Sequence, residues 1–350
     1  MRISQAQARG AILSQQGLLT PFSSPFDAVH AMVAVQTQYA FSLPVAVATR
    51  LAKGFPGWEV AALTPGGSLV KSWSLRNTVH THLPEDHALL LGVIGERTYR
   101  KYVAWMERQR GIHPSTFEEL ISEALADGPL SRTELHTRVP ILKTIPGTGW
   151  GLDVMGLALC RRLSIVGQGS EQAFAMLYSS SSSFESGQVL ARYLGAFGPA
   201  TIADFSHWTG LPQGEVRTYL SSCAPCERVT IKGMKGERLA LASSFDVEPS
   251  GVRLLAKFDP LILAHKDKSL FLAEEHRKAV FRIAAQVEAT VLSEGVVCAT
   301  WRLERKSARA NFVFEPLRRL GKREIGRIEK ESASLAKKLG LGMGEVRGLA

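Results

Sequence analysis

Two glutamines separated by one residue, Gln36 and Gln38, are the side chains whose types and spacing could do chemistry. They follow the apolar run Met32–Val35, in a segment whose periodicity predicts a helix beginning at Ser24-Pro25. A carboxamide oxygen can accept a hydrogen bond from water and orient it for attack, but it does not take a proton at neutral pH. Taken alone, the pair also fits a helix end whose amides cap the backbone or face solvent.

The other polar clusters of the sequence do not form a metal or nucleotide site. His80 and His82 fall on one face of a predicted strand without a third ligand nearby, and we expect a structural or DNA-contacting role for them. Cys223 and Cys226 have the spacing of half a zinc site, but no second pair follows at a usable distance. The sequence has no phosphate-binding or dinucleotide-binding glycine loop. We therefore predict no metal and no cofactor.

An internal repeat indicates how the chain is organised. Segments 128–135 and 198–205 both read Gly-Pro-apolar-hydroxyl-x-x-acid-apolar, and they begin 70 residues apart. The glycine ends one helix, the proline fixes the turn, and the hydroxyl and the acid form a capping box for the next helix. Two unrelated helix starts could share this cap chemistry. The matching flanks and an offset of about one winged-helix domain favour a true repeat.

Three successive segments show helices followed by a hairpin, the order that is typical of winged-helix units. In the first, helices at 4–16, 24–35 and 43–54 precede strands at 68–74 and 78–83. In the second, helices at 115–126 (with a capping box of Ser115 and Glu118), from 131 onward and at 150–162 precede a hairpin over 163–178. In the third, helices at 184–197, from 201 onward and at 211–221 precede strands at 227–231 and 238–241.

The predicted fold class is mainly α with β (α+β), with tandem winged-helix units and a small β-rich C-terminal domain. We place the units at residues 1–110, 111–180 and 181–250, and the β-rich domain at 251–350 with a basic amphipathic helix at 322–339. The serine run 179–183 is predicted to be a linker between the second and third units.

The composition favours a polyanionic partner. The 350 residues carry a net charge of +10, which suits nucleic acid or an anionic membrane face. No apolar run approaches the roughly 20 residues of a membrane helix, and the N-terminus lacks a signal-peptide core. The four cysteines fit a reducing compartment. We expect a cytoplasmic, nucleoid-associated monomer that binds double-stranded DNA and no membrane.

Three motifs, in chain order, resemble the AlkZ-like (YcaQ-like) DNA glycosylases. Gln36-Thr37-Gln38 looks like the family's Gln-x-Gln form. The segment Arg76-Asn77-Thr78-Val79-His80 is similar to its Arg-Gly-Thr-Leu-His, with asparagine in place of glycine. The third motif is Phe258–Leu263 followed by Lys266–Ser269. The likeness spans nearly the whole chain and implies excision of N7-alkylated purines and, in some members, unhooking of interstrand crosslinks.

This implied chemistry suits a pair of neutral amides. An N7-alkylated guanine already carries a positive charge and leaves without protonation, so what remains is to place a water at C1′ and stabilise an oxocarbenium-like sugar. We assign Gln38 to the water and Gln36 to supporting the water or the sugar, and the sequence leaves the order of these roles open. No amine is singled out as a nucleophile. We therefore expect a monofunctional enzyme that acts on cationic lesions and poorly on neutral damaged bases.

The resemblance and the charge also suggest which residues bind DNA. Arg76 is expected at a phosphate or near the lesion, although a solvated wing arginine is the alternative, and His80 is expected at the DNA backbone. Further expected contacts are Arg50, His265, Lys266, Lys268, Lys322 and Arg323. The simplest alternative for His265 and its neighbours Asp259 and Asp267 is a solvated polar turn. For the whole chain, the alternatives are a non-catalytic winged-helix regulator or architectural protein, or a protein-binding scaffold.

Overall fold

The computed structural model describes residues 1–145, 149, 151–167, 169–177, 184–223, 225–241 and 245–349. The predicted serine linker at 179–183 lies outside these ranges, as do the predicted helix start at Trp150 and the turn residue Gln168.

The first part of the chain forms the predicted helices and hairpin, with one rearrangement around the glutamines. Its elements are β1 (Arg2–Ile3), α1 (Gln5–Gln15), α2 (Pro25–Met32), β2 (Val35–Gln36), α3 (Ser42–Thr49), α4 (Trp58–Ala62), β3 (Val70–Trp73), β4 (Val79–His82) and α5 (Pro84–Arg110). The helix predicted to run through Val35 ends at Met32, because Val33 takes a positive φ of 62°. The chain then turns into a short strand.

The second and third parts repeat the same plan. They contain α6 (Ser115–Ala124), β5 (Leu130–Ser131), α7 (Arg132–Arg138), α8 (Met155–Leu159), β6 (Leu163–Val166), β7 (Ala173–Met176), α9 (Ser186–Phe197), α10 (Ile202–Thr209), α11 (Gln213–Thr218), β8 (Glu227–Ile231) and β9 (Glu237–Ala240). Both capping boxes of the repeat are present, Ser131 with Glu134 and Thr201 with Asp204.

One capping prediction is wrong. Helix α6 is capped by Pro114 without a side-chain hydrogen bond, so Ser115 and Glu118 do not form a capping box. The Glu118 carboxylate instead accepts the Tyr99 hydroxyl at 2.8 Å. A Ser-x-x-Glu spacing in the sequence therefore does not ensure a capping box when a residue from another helix binds the acid.

Each hairpin pairs with a short strand, which for the third hairpin is β1 from the start of the chain. The sheet orders are β2-β4-β3 in the first, β5-β7-β6 in the second and β1-β8-β9 in the third, where Ala200 also bridges Leu239 of β9. The glutamine strand β2 therefore occupies the place that β5 takes in the second unit. This arrangement agrees with the predicted tandem winged-helix organisation.

Helix α5, 27 residues long, is an element that the sequence analysis missed. Leu90 and Ile94 on its first half pack into the core of the third repeat. Tyr102 and Met106 on its second half pack into the core of the second repeat. One continuous helix therefore packs against the cores of both repeats.

The C-terminal part is β-rich, as predicted, and contains the predicted basic helix, which one further strand follows. It contains β10 (Val252–Leu255), α12 (Pro260–Leu263), α13 (Arg277–Val280), β11 (Ala289–Ser293), β12 (Val296–Lys306), β13 (Arg309–Pro316), α14 (Lys322–Lys338) and β14 (Gly342–Arg347). Its five strands follow the order β10-β11-β12-β13-β14, with β14 parallel to β13. Ile328 and Leu335 of α14 face the core.

The hydrophobic cores cross the predicted segment boundaries. One core combines α2 and α3 with the C-terminal sheet and α14. A second combines α1 with β8, β9 and residues 255–297. The first and last parts of the chain therefore stabilise each other. Among the described residues, no helix combines the length and the apolar character of a membrane span.

A buried ion pair ties these parts together and corrects two sequence predictions. The Arg50 guanidinium donates to both Asp259 carboxylate oxygens, at 2.9 and 2.8 Å, and both side chains are 0% exposed. The Gln16 amide oxygen accepts a further bond from Arg50 at 3.3 Å. The prediction that Arg50 contacts DNA is therefore wrong in this structure. Asp259 is likewise not part of a solvated turn.

Candidate active site

Gln36 is the last residue of β2, the edge strand of the first three-stranded sheet, and Gln38 lies two residues beyond the end of this strand. Gln36 pairs with His80 across β2 and β4, and the Thr37 amide donates to the Val79 carbonyl at 2.9 Å. The Gln36 Nε2 donates to Gln38 Oε1 at 3.3 Å. Gln36 is 6% exposed, whereas Gln38 is exposed. The strand pairing fixes the backbone of the motif, and the amide contact joins a buried carboxamide to an accessible one.

Gln36 faces a cavity of about 310 Å³ that we call the Gln36 cavity. Its cationic lining residues are Arg76, Lys268, Arg277 and Arg282, with the imidazole of His207 beside them. Phe258 and Phe281 supply apolar walls. Arg76 reaches this position because its backbone takes a positive φ of 53° in the turn between β3 and β4. The cavity thus joins the first hairpin to the C-terminal part.

Gln38 faces a second cavity of about 370 Å³, which we call the Gln38 cavity. Lys71 and Trp73 of β3 line it on the side of the first unit, and Arg132 and Phe174 line it on the side of the second. The Arg132 guanidinium lies 4.9 Å from the centroid of the Phe174 ring. The amide pair therefore stands between two cavities, one reached by each glutamine.

Both cavities are lined by basic residues, of which Arg132 is paired with Asp153 and Arg282 with Glu288 and Glu315. The lining residues that the structure describes include six lysines and arginines and no aspartate or glutamate. Burial, followed by repulsion from Arg76 and Arg277, lowers the pKa of Lys268 to about 7. Burial, followed by Lys268 and Arg76, lowers the pKa of His207 to about 4, so this imidazole is neutral at pH 7. The surroundings therefore suit anions, and the glutamines contribute neutral dipoles among cations.

His80 supports the motif from behind and does not face DNA. Its side chain is 2% exposed, and its Nδ1 lies 2.9 Å from the Thr78 carbonyl and 3.1 Å from the Ser74 hydroxyl. His82 shares the same hydroxyl at 2.9 Å and reaches the Val33 carbonyl. The prediction of a DNA-backbone contact for His80 is therefore corrected to a structural role.

The remaining predicted DNA-binding residues divide into buried and exposed groups. His265 is 5% exposed and its Nε2 lies 2.9 Å from the Phe197 carbonyl, which contradicts a direct contact. Lys268 bonds the carbonyls of Leu263 and His265 and also lines the Gln36 cavity. Lys266, Lys322 and Arg323 are exposed, but none of them lines either cavity, so their DNA contacts stay a prediction.

Several residues around the motif escaped the sequence analysis. Lys71 and Arg132 come from distant parts of the chain and meet only in the folded molecule at the Gln38 cavity, and Arg277 and Arg282 likewise meet Arg76 only at the Gln36 cavity. Arg132 carried one usable signal, because it directly follows the capping serine in the repeated Gly-Pro segment. Ile283, the residue that follows the cavity-lining Arg282 in the sequence, is 94% exposed. A side chain so apolar and so accessible suits contact with stacked bases.

The described residues contain no group of three or more metal ligands. Cys223 and Cys226 lie with their Sγ atoms 3.4 Å apart, within hydrogen-bond distance and without a disulfide bond between them.

Comparison with known proteins gives the class to which this fold and site belong. The family model "DNA glycosylase AlkZ-like" matches residues 29–338, so the chain belongs to the AlkZ-like DNA glycosylases and is a DNA glycosylase. The resemblance and the enzyme class predicted from the sequence are thereby confirmed. The reading as a non-catalytic regulator is not supported.

Two matches from Streptomyces sahachiroi, one of sequence and one of structure, cover almost the entire chain. The interstrand DNA cross-link repair glycosylase is 28% identical over 373 aligned residues, which cover 95% of this chain and 96% of the relative. The structure of the DNA glycosylase AlkZ matches with a TM-score of 0.82 and 26% identity, covering 99% of this chain and 100% of that one. The predicted fold class is confirmed by this match.

Proposed function

We propose that this enzyme hydrolyses the N-glycosidic bond of N7-alkylated, cationic purines in double-stranded DNA. The observation that carries the proposal is the Gln36–Gln38 amide pair, placed between two cation-lined cavities that contain no carboxylate among their described lining residues. These cations can bind the phosphates of a DNA strand, which places a sugar of that strand next to the accessible Gln38 amide.

The solvent exposure of the two amides favours one assignment of their roles, orienting the water and positioning the other amide. Gln38 is accessible, and its Oε1 can accept a hydrogen bond from a water that attacks C1′. Gln36 is buried and donates to that same oxygen, so it acts as a positioning residue that holds the Gln38 amide in place. Neither amide takes a proton. As water adds to C1′, the electron pair of the C1′–N9 bond neutralises the cationic base, which leaves without protonation, and the proton of the water passes to solvent. Bond cleavage therefore depends on positioning and electrostatics.

The same mechanism extends to interstrand crosslinks that join purines through N7. A relative is named for interstrand cross-link repair, and a purine linked through N7 carries the same positive charge as a methylated one, so it likewise leaves as a neutral base without protonation. Hydrolysis at C1′ on one strand would unhook the crosslink. We also propose that the enzyme is monofunctional and acts as a monomer in the cytoplasm, on alkylated DNA of the nucleoid. Arg76 and Lys268 are the proposed phosphate contacts of the Gln36 cavity.

A duplex with one N7-methylguanine tests the proposal. The purified protein is incubated with the duplex, and alkali then cleaves any abasic site. We expect strand breaks at the lesion with the wild type and almost none with Gln38→Ala, whose DNA binding is retained in a gel-shift assay. Tight sequence-specific binding to undamaged DNA without strand breaks would contradict the proposal.

A further inference from the structure

Lys71 is a buried ammonium group beside the amide pair. It lies two residues from Trp73 on β3, so both side chains project to the same face, and both line the Gln38 cavity. Lys71 is 5% exposed. In the described part of the chain no carboxylate pairs with it. Burying such a charge is costly, and burial lowers the pKa of Lys71 to about 8. An anionic ligand in the cavity would offset this cost.

Arg132 brings a second cation to the same cavity. It is the first residue of α7, directly after β5, the strand that corresponds to β2 in the second unit. Its Nη1 donates to both oxygens of Asp153 at 3.0 Å, and Asp153 is 0% exposed. This carboxylate, together with the Phe174 ring, holds the guanidinium in one place. A fixed guanidinium is well suited to a phosphate.

We propose that the Gln38 cavity is a subsite for a DNA phosphodiester next to the damaged nucleotide, with Lys71 and Arg132 as its donors. The inference rests on the proposed function, because it takes Gln38 to face the sugar of that nucleotide. The damaged base is the other part of the substrate that could enter. It carries a positive charge when N7 is alkylated, and two cations repel it. The phosphate is attracted by the same two groups.

The Gln36 cavity on the other side of the amide pair is also lined by cations. A nucleotide sugar likewise lies between two phosphates. Holding the strand by these groups places C1′ at the amides and leaves the base outside both cavities. The enzyme would then accept a bulky substituent at N7, because neither cavity has to enclose it.

Site-specific methylphosphonates, which are uncharged, test the inference together with Lys71→Met. Single-turnover release of N7-methylguanine is measured on the native duplex and on duplexes with one methylphosphonate immediately 5′ or 3′ of the lesion. Losing a hydrogen bond between charged groups slows the reaction about 10- to 100-fold. We expect Lys71→Met to show this loss on the native duplex. The methylphosphonate at the phosphate that Lys71 contacts should slow the wild type as much as Lys71→Met does on the native duplex. It should not slow the Lys71→Met variant any further. Lys71→Arg should restore most of the rate.

A pH series and a surface variant separate the subsite from general charge effects. Affinity of the wild type for the native duplex should fall as the pH rises above about 8. Lys71→Arg and Lys71→Met should lack this component and keep only the fall from about pH 7 that Lys268 causes. Lys101→Met removes one exposed charge from α5 and should leave the rate within twofold. Thermal melting confirms that each variant is folded.

The outcomes that contradict the phosphate subsite differ from those that contradict the proposed function. An unchanged rate in Lys71→Met, or independent losses from the variant and from both methylphosphonates, would overturn the phosphate subsite. A loss in Lys71→Met that depends on which alkylated base is excised would show that the amine contacts the base, which also overturns it. Gln38→Ala is measured on the same duplex. If it cleaves like the wild type, the proposed function itself fails. If it is inactive while Lys71→Met is unaffected, only the subsite fails.

Discussion

The hydrogen bond from Gln36 to Gln38 gives a quantitative prediction about which amide acts on the substrate. Replacing Gln36 by leucine removes the donor while nearly preserving the volume of a side chain that is 6% exposed. The bond length of 3.3 Å exceeds the usual value, which places its net contribution at the low end, about 0.5–1 kcal/mol. If Gln36 acts only by holding Gln38, the variant loses roughly two- to fivefold in rate.

Replacing Gln38 should slow the reaction more than replacing Gln36 does. Its loss removes the acceptor that orients the water, for which a roughly 100-fold decrease is the expected scale. The two substitutions should be non-additive, because Gln36→Leu has nothing left to position once Gln38 is alanine. The measurement is single-turnover release of N7-methylguanine at saturating enzyme for the wild type, both single variants and the double variant.

One pattern of rates would refute this order of roles. If Gln36→Leu slows release as much as Gln38→Ala, or still slows it in the Gln38→Ala background, Gln36 contacts the reacting groups directly. Binding to the lesion duplex, measured in parallel, should be nearly the same for all four proteins. A loss confined to binding would contradict a positioning role as well.

Three further predictions concern stability and DNA contact. Asp259→Asn leaves the Arg50 guanidinium buried without its counter-ion and should cost about 3–5 kcal/mol in urea unfolding, whereas Glu237→Gln at an exposed pair should cost under about 1 kcal/mol; equal losses would contradict the structural role. Burial lowers the pKa of His82 to about 4, below its value in the unfolded chain. The contribution of the neutral imidazole to the free energy of unfolding is therefore complete above pH 6.5 and is lost as the pH falls toward 4. Stability should drop by about 2 kcal/mol from this group between pH 7 and 5, and a His82→Gln variant with the same pH dependence would refute the assignment. Ile283→Ser should weaken binding to the lesion duplex about tenfold with an unchanged melting temperature, and an unchanged affinity would exclude contact with bases.

The predictable parts of the fold depend on signals that lie within a few residues. Ser131 with Glu134 and Thr201 with Asp204 form capping boxes because each pair satisfies the helix end locally. The three hairpins follow from alternating apolar residues around turn residues. By contrast, β2 exists because Val33 takes a positive φ and β4 offers a partner. Its sequence continues an apolar helical pattern, so periodicity alone extended the helix too far.

The site could be predicted only in part for a similar reason. The Gln-x-Gln motif is contiguous and could be recognised, whereas the cations around it come from distant segments. Arg50 illustrates the limit most clearly. A basic residue near a helix end suggests a DNA contact, but its partner Asp259 lies 209 positions away. Only the packing of the first unit against the C-terminal sheet shows that this charge is buried and paired.

The charge of the damaged base is the property on which the account depends, and a pair of substrates tests it directly. Single-turnover excision is compared for N7-methylguanine and for hypoxanthine, a neutral purine, at the same position of one duplex. Two amides cannot protonate a leaving group, so the account predicts rapid release of the cationic base and almost none of the neutral one. Comparable rates for both bases would contradict it.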